Sequence, residues 1–122
     1  MPADLFGEEV AGLPDGVVLP QTNTLRRYGL TAQDWVNLLV AQGGVCAVCR
    51  RVPRTGRFNT DHEHVKGWKK MPASRRKLYV RGIICHFCNH YYVGRGITVA
   101  KAEAVAEYLR RYEARTGEKE EL

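Results

Sequence analysis

Two Cys-x-x-Cys pairs, Cys46/Cys49 and Cys85/Cys88, hold all four cysteines of this chain and stand 35 residues apart. A CxxC turn aims two thiolates at one point, and two such turns complete a tetrahedron around zinc. The spacing therefore predicts one four-cysteine structural zinc, a closed shell that folds the chain and leaves no open position for catalysis. A compact zinc ribbon needs a shorter separation, so residues 50–84 must themselves fold between the two knuckles. Disulfide pairing and redox chemistry are the competing readings, and both depend on compartment. Met1 to Val10 carries acidic residues where a signal peptide needs a basic region. No apolar run approaches the roughly 18 residues of a membrane span. The expected setting is thus cytoplasmic, with reduced thiols and no membrane partner. A chain of 122 residues makes one domain with a modest core, which a metal staple would reinforce.

Charge is distributed unevenly around these knuckles. Asp4, Glu8, Glu9 and Asp15 all precede the first basic residue, Arg26. From Arg50 to Arg81 the balance reverses: eleven Lys or Arg face only Asp61 and Glu63, a local net of +9 within an overall +6. Such a run suits a polyanion, and its members Arg50, Arg51, Arg54, Arg57, Lys66, Lys69, Lys70, Arg75, Arg76, Lys77 and Arg81 are the candidate DNA contacts. A merely solvated face is the plain alternative. The run also encloses the candidate catalytic residues, which favours nucleic acid.

Along the chain, residues 1–22 are acidic and punctuated by Pro and Gly, and read as a loosely packed arm. Thr31, with Asp34 three residues on, predicts a capped helix whose apolar face is Trp35, Leu38 and Leu39, stopped by Gly43 and Gly44. Arg57 to Thr60 predicts a short strand, Gly67 to Arg76 a loop, and Leu78 to Val80 the returning strand. The second knuckle should open a short helix through Tyr92, with Tyr91 and Tyr92 in the core on one side. Thr98 starts a last helix, in which Ala102, Val105, Leu109 and Tyr112 recur at three- and four-residue steps. Gly117 should end it, leaving residues 118–122 as a charged tail.

The residues with chemical potential cluster inside and just after the insertion. Asp61-His62-Glu63-His64 lies between the knuckles, and Asn89 directly follows the second. If the insertion is a hairpin, zinc clamps its ends and brings Asp61, His62 and Asn89 to one cleft. The carboxylate of Asp61 and the amide oxygen of Asn89 are hard ligands suited to Mg²⁺. A neutral imidazole at His62 can take a proton from an attacking water. Each residue also has a duller reading: a hydrogen-bonded histidine at 62, and a helix-start residue at 89. His64 could support the site, replace a metal ligand or face solvent. His86 and His90 read as surface or supporting residues within reach of phosphate.

Taken in order, Gln42-Gly-Gly-Val-Cys-Ala-Val-Cys49, Asp61-His62-Glu63-His64 and Val80-Arg-Gly-Ile-Ile-Cys-His-Phe-Cys-Asn89 resemble the recombination endonuclease VII family, over roughly Leu25 to Arg115. That family belongs to the His-Me finger, or ββα-metal, nucleases of bacteriophages and their hosts. The resemblance implies an α+β fold: a zinc-stapled ββα-metal core with flanking N- and C-terminal helices, over residues 23–117. It further implies a catalytic base at His62, Mg²⁺ ligands at Asp61 and Asn89, and zinc on the four cysteines. The implied activity is a Mg²⁺-dependent DNA endonuclease acting on branched or nicked DNA in phage recombination or genome processing, in the host cytoplasm. A homodimer is also implied, and the apolar faces of the two predicted helices exceed what one small core needs. Glu63 stands where Asp is common in the family, and the basic loop after His64 is longer than the minimal hairpin. The rival reading is a zinc module that binds nucleic acid and cuts nothing. It accounts for cysteines and charge but leaves the Asp-His-Asn arrangement to coincidence.

Overall fold

The structure, a computed structural model, describes residues 10–120, with side chains through Arg115. Its elements are α1 (Thr22–Arg27), α2 (Ala32–Ala41), β1 (Asn59–His62), α3 (Ala73–Arg76), β2 (Val80–Ile84), α4 (His86–Tyr91) and α5 (Val99–Glu120). Short 3-10 turns occupy Trp68–Lys70, Lys77–Tyr79 and Val93–Arg95. The fold is thus a mixture of helices with one small antiparallel sheet.

Helix α2 forms where local signals agree. The Thr31 hydroxyl accepts from the Asp34 amide, and the Asp34 carboxylate accepts from the Thr31 amide, both at 3.0 Å. This reciprocal cap satisfies two amides that have no partner within the helix. The Thr31 amide bond, assisted by Lys77 at 3.1 Å, holds the Asp34 carboxyl below its usual pKa. Trp35, Val36 and Leu39 of this helix are fully buried against Ile83 and Ile84 of β2 and Phe58. Each such side chain stabilises by about 1.5–3 kcal/mol on burial. The one polar atom of Trp35 is satisfied too, since its Nε1 donates to the Thr60 hydroxyl at 3.1 Å.

Strands β1 and β2 pair antiparallel, Asn59 with Ile84, Thr60 with Ile83 and Asp61 with Gly82. The register then jumps, so that His62 faces Val80 and Arg81 is left without a partner. Two strands alone are marginal in water. This pair is clamped by α2 on one side and α4 at its end, and by Gln42. The Gln42 amide donates to the Val45 and Ile83 carbonyls and accepts from the Ile83 amide, at 2.8–3.0 Å. A Cβ at Gly82 would lie 2.9 Å from the Gln42 side-chain oxygen. Glycine at that position therefore lets the clamp close.

Several sequence expectations are corrected here. The first strand begins two residues later than predicted, and the returning strand is Val80–Ile84, because Lys77–Tyr79 is a helical turn with Leu78 76% exposed. The expected loop Gly67–Arg76 contains a 3-10 turn and α3. Helix α1, too short to show a period, was not anticipated. The lead-in is packed from Val10 onward: Val10 and Val17 join the core, and the Val18 amide donates to the Gly56 carbonyl at 2.8 Å. Asp4, Glu8 and Glu9 lie outside the described residues. Tyr91 and Tyr92 are half exposed and form no part of the core. Helix α5 passes through Gly117 to Glu120. Its predicted face does exist, but Val105, Leu109 and Tyr112 are all exposed. No helix among the described residues is long and apolar enough to cross a membrane.

Candidate functional site

The sulfur atoms of Cys46, Cys49, Cys85 and Cys88 lie within 4.8 Å of one another, all as free thiols. A tetrahedral zinc with Zn–S bonds of about 2.3 Å has S···S edges of about 3.8 Å, and Cys49 Sγ lies 3.8 Å from Cys85 Sγ. Backbone amides are aimed at the sulfurs: Val48 and Cys85 donate to Cys46 Sγ, and Cys88 donates to Cys85 Sγ, at 3.3–3.4 Å. Burial pushes the Cys46 thiol up, but bonds from the Cys49, Cys85 and Val48 amides outweigh it and bring the pKa down to about 7. Burial, with the neighbouring thiols, pushes Cys88 well up. Thiolate is the form that binds a metal, so a cation held by this cluster would displace thiol protons. The first knuckle turns at Arg50, which takes a left-handed φ of 63°. The cluster could hold a zinc ion, and it ties the start of α4 to the segment after α2.

That tie fixes Asn89. Its amide donates to the Cys85 carbonyl at 3.0 Å, inside the turn that carries Cys88. The 3-10 turn after α4 folds back tightly over it. A Cβ at Gly94 would lie 2.5 Å from the Asn89 carbonyl oxygen and 2.8 Å from its side-chain oxygen. Glycine at 94 thus permits an approach that any other residue would block.

Asp61, His62 and Asn89 meet in one open cleft of about 420 Å³, lined also by Tyr28, Thr60, His64, His90, Gly94 and Arg95. Successive strand residues normally face opposite sides. The bulge between Asp61 and His62 breaks that alternation, as bulges beside functional sites do. The unpaired Arg81 reaches Asp61 by two bonds, Nε to Oδ2 at 2.7 Å and Nη2 to Oδ1 at 3.0 Å. Asp61 is only 5% exposed, so this bidentate pair compensates a buried charge. The Asp61 bond also raises the pKa of Arg81.

The His62 ring is held by three others. Trp68 stacks on it at 4.0 Å and 20°, His64 at 4.7 Å and 26°, and Tyr28 meets it edge-on at 5.5 Å. Burial, and then the nearby His64, lower the pKa of His62 below the ordinary 6.5, against the opposing charge of Asp61. Burial likewise raises the Tyr28 phenol. Trp68 is anchored in turn, its Nε1 donating to the Arg76 carbonyl at 3.3 Å. The Arg76 guanidinium donates to the carbonyls of Arg26, Arg27 and Met71. Two of these belong to the last turn of α1, whose carbonyls have no partner within the helix.

The basic residues therefore divide. Arg76, Lys77 and Arg81 are engaged with the α1 carbonyls, Asp34 and Asp61 respectively. Arg50, Arg51, Arg54, Arg57, Lys66, Lys69, Lys70 and Arg75 are exposed to solvent. Sequence reasoning missed Tyr28 and Arg95 as cleft residues and Trp68 as the ring stacked on His62. Only Arg95 carried a signal, a cation shortly after the second knuckle.

Fold and cleft together define a small α+β protein with a four-cysteine cluster that could hold a metal ion, beside an Asp-His-Asn cleft. The family model of recombination endonuclease VII matches residues 21–111, and the chain belongs to that family. Its relatives include the Gene 59 protein of Mycobacterium phage D29, 33% identical over 75 residues, covering 61% of this chain and 39% of the relative. The Gene 59 protein of Mycobacterium phage L5 is 32% identical over the same length and shares. The chain thus spans about two-fifths of the length of these curated relatives. No solved structure matches the chain.

Proposed function

We propose that this chain is a zinc-stapled, Mg²⁺-dependent DNA endonuclease of the ββα-metal type, with His62 as general base. The observation that carries the reading is the convergence of Asp61, His62 and Asn89 on one cleft, fixed by the strand bulge and the four-cysteine cluster. A neutral imidazole in that cleft takes a proton from water as the oxygen attacks the phosphorus of a DNA phosphodiester. The bond from phosphorus to the 3′ oxygen then breaks and that oxygen takes a proton from solvent water, leaving 5′-phosphate and 3′-hydroxyl ends. The ring faces of Trp68 and His64 restrict His62 rotation, so the base is held in place before substrate arrives. The side-chain oxygens of Asp61 and Asn89 form a donor set suited to Mg²⁺. A carboxylate offers about four acceptor positions, so the two bonds from Arg81 leave capacity for a cation. Bound there, Mg²⁺ would supply charge stabilisation at the phosphate and leaving oxygens. Zinc on the four cysteines would take no part in the chemistry.

The test is a cleavage assay with added Mg²⁺ on four-way junction, nicked duplex, linear duplex and single-stranded DNA. Cleavage of at least one substrate, abolished without divalent metal, is expected. DNA binding with no cleavage of any substrate would leave the non-cutting zinc module as the better account. The exposed apolar stripe of α5 supports a homodimer. Such a dimer would present two cleavage sites related by a two-fold axis, as symmetric cutting of a junction requires.

DNA affinity should depend on the exposed part of the basic loop. Each phosphate neutralised contributes about −0.9 to the slope of log affinity against log salt. Lys69→Ala, Lys70→Ala and Arg75→Ala combined should weaken binding and flatten that slope by up to roughly 0.9 per residue that touches a phosphate. Arg76 is kept, since it holds α1 and Trp68. An unchanged slope in a salt titration would place this loop away from the DNA.

A further inference from the structure

Helix α4 carries an aromatic surface that the chemistry above does not use. Phe87, Tyr91 and Tyr92 are 56%, 54% and 51% exposed, with Phe87 4.6 Å from Tyr91 and 5.7 Å from Tyr92 between ring centroids. Phe87 and Tyr91 are four residues apart and so share one helix face. The surface is continuous with the cleft: His90, a cleft residue, meets Tyr91 edge-on at 4.8 Å and stacks on His86 at 5.4 Å. The chain on either side of it is basic in sequence. No acidic residue occurs between Glu63 and Glu103, a span that holds nine Lys or Arg.

We propose that Phe87 and Tyr91, flanked by Tyr92, form a stacking platform for unpaired nucleobases of DNA leading into the cleft. Exposed aromatic faces beside a cleft that carries Arg95, in a basic stretch of the chain, are what single-stranded nucleic acid binds, since every base offers a ring face whatever its identity. In a duplex those faces are stacked on their neighbours and only base edges are open. The platform therefore selects DNA with a single-stranded or branched flank, and specifies the substrate class for the endonuclease reading on which it rests. An apolar protein partner would explain the exposed rings but not their setting in a stretch of sequence with nine Lys or Arg and no acidic residue.

The test is binding by the full chain, without added divalent metal, to fluorescent oligothymidylate and to a blunt duplex of equal length. Removing one stacked base–ring contact costs at least about fivefold in affinity. Phe87→Ala with Tyr91→Ala should weaken oligothymidylate binding by roughly tenfold or more. Duplex affinity, zinc content and circular dichroism should stay as in the wild type. Phe87→Tyr with Tyr91→Phe keeps both rings and should bind as wild type. Should the alanine pair fail to fold, Phe87→Leu with Tyr91→Leu keeps apolar bulk without an aromatic face, and the same selective loss is expected. Equal loss on both DNAs, or none on either, overturns the proposal. So does conversion of a dimer to a monomer in light scattering, which would assign the surface to a second copy. The outcome is independent of cleavage. A wild type that cuts nothing while its variant loses oligothymidylate selectively leaves the platform standing and removes the nuclease. A cutting enzyme whose variant binds both DNAs normally removes only the platform.

Discussion

Cys46→Ser or Cys85→Ser yields protein that does not reach the folded state, and metal analysis of the wild type finds about one zinc per chain. This is the larger of two expected effects, and its size follows from the small core. Zinc coordination supplies on the order of 10–16 kcal/mol in small thiolate modules. The whole stability of a domain this size is about 5–15 kcal/mol. One missing ligand of four therefore removes a large share of that sum, enough to consume much of the margin. Cys46 is the more severe case, because it is fully buried and accepts bonds from the Val48 and Cys85 amides. Serine's smaller, neutral hydroxyl does not replace a thiolate sulfur that both amides reach. The check is soluble yield, thermal melting by circular dichroism and zinc content for both variants. Soluble, cooperatively melting serine variants without zinc would overturn the assignment.

Local chemistry was legible in the sequence, and tertiary register was not. The four cysteines meet as two CxxC turns aimed at one point, and the capped start of α2 is written in Thr31 and Asp34 alone. Asn89 could be placed near Asp61 and His62 because it follows directly on a ligand of the cluster. Arg81 could not be read correctly in the same way. It looks like one more cation in a basic run, and only the jump in strand register hands its guanidinium to Asp61. Tyr28 and Trp68 lie 34 residues before and six after His62, and each reads as an ordinary core aromatic. Their role around the imidazole depends on Arg76 linking α1 to the loop, which no periodicity encodes. The end of α5 departs from the sequence pattern for a different reason. One glycine costs a helix about 1 kcal/mol relative to alanine, which was too little to stop it at Gly117.

His62→Ala folds, retains its zinc and binds DNA, yet cleaves at least about a hundredfold more slowly, the lower end of what a general base contributes. The substitution leaves the cluster intact because His62 is not among its ligands. Some stability is lost with the Trp68 and Tyr28 ring contacts, so the rate is compared well below the melting temperature. Asp61→Ala should fail differently. It removes a proposed Mg²⁺ ligand and leaves the Arg81 guanidinium without its partner, so raising Mg²⁺ should recover part of its rate. The same titration should recover nothing in His62→Ala, whose defect lies in proton transfer. The pH profile gives the sign independently. Burial lowers the His62 pKa below 6.5, so the neutral base is already the main form at pH 7. The acid limb of wild-type cleavage should therefore have its midpoint below the ordinary imidazole value of about 6.5. His62→Ala should lack this acid limb. Wild-type rates from His62→Ala, with zinc and folding intact, would remove the base from the mechanism and return the protein to the non-cutting reading.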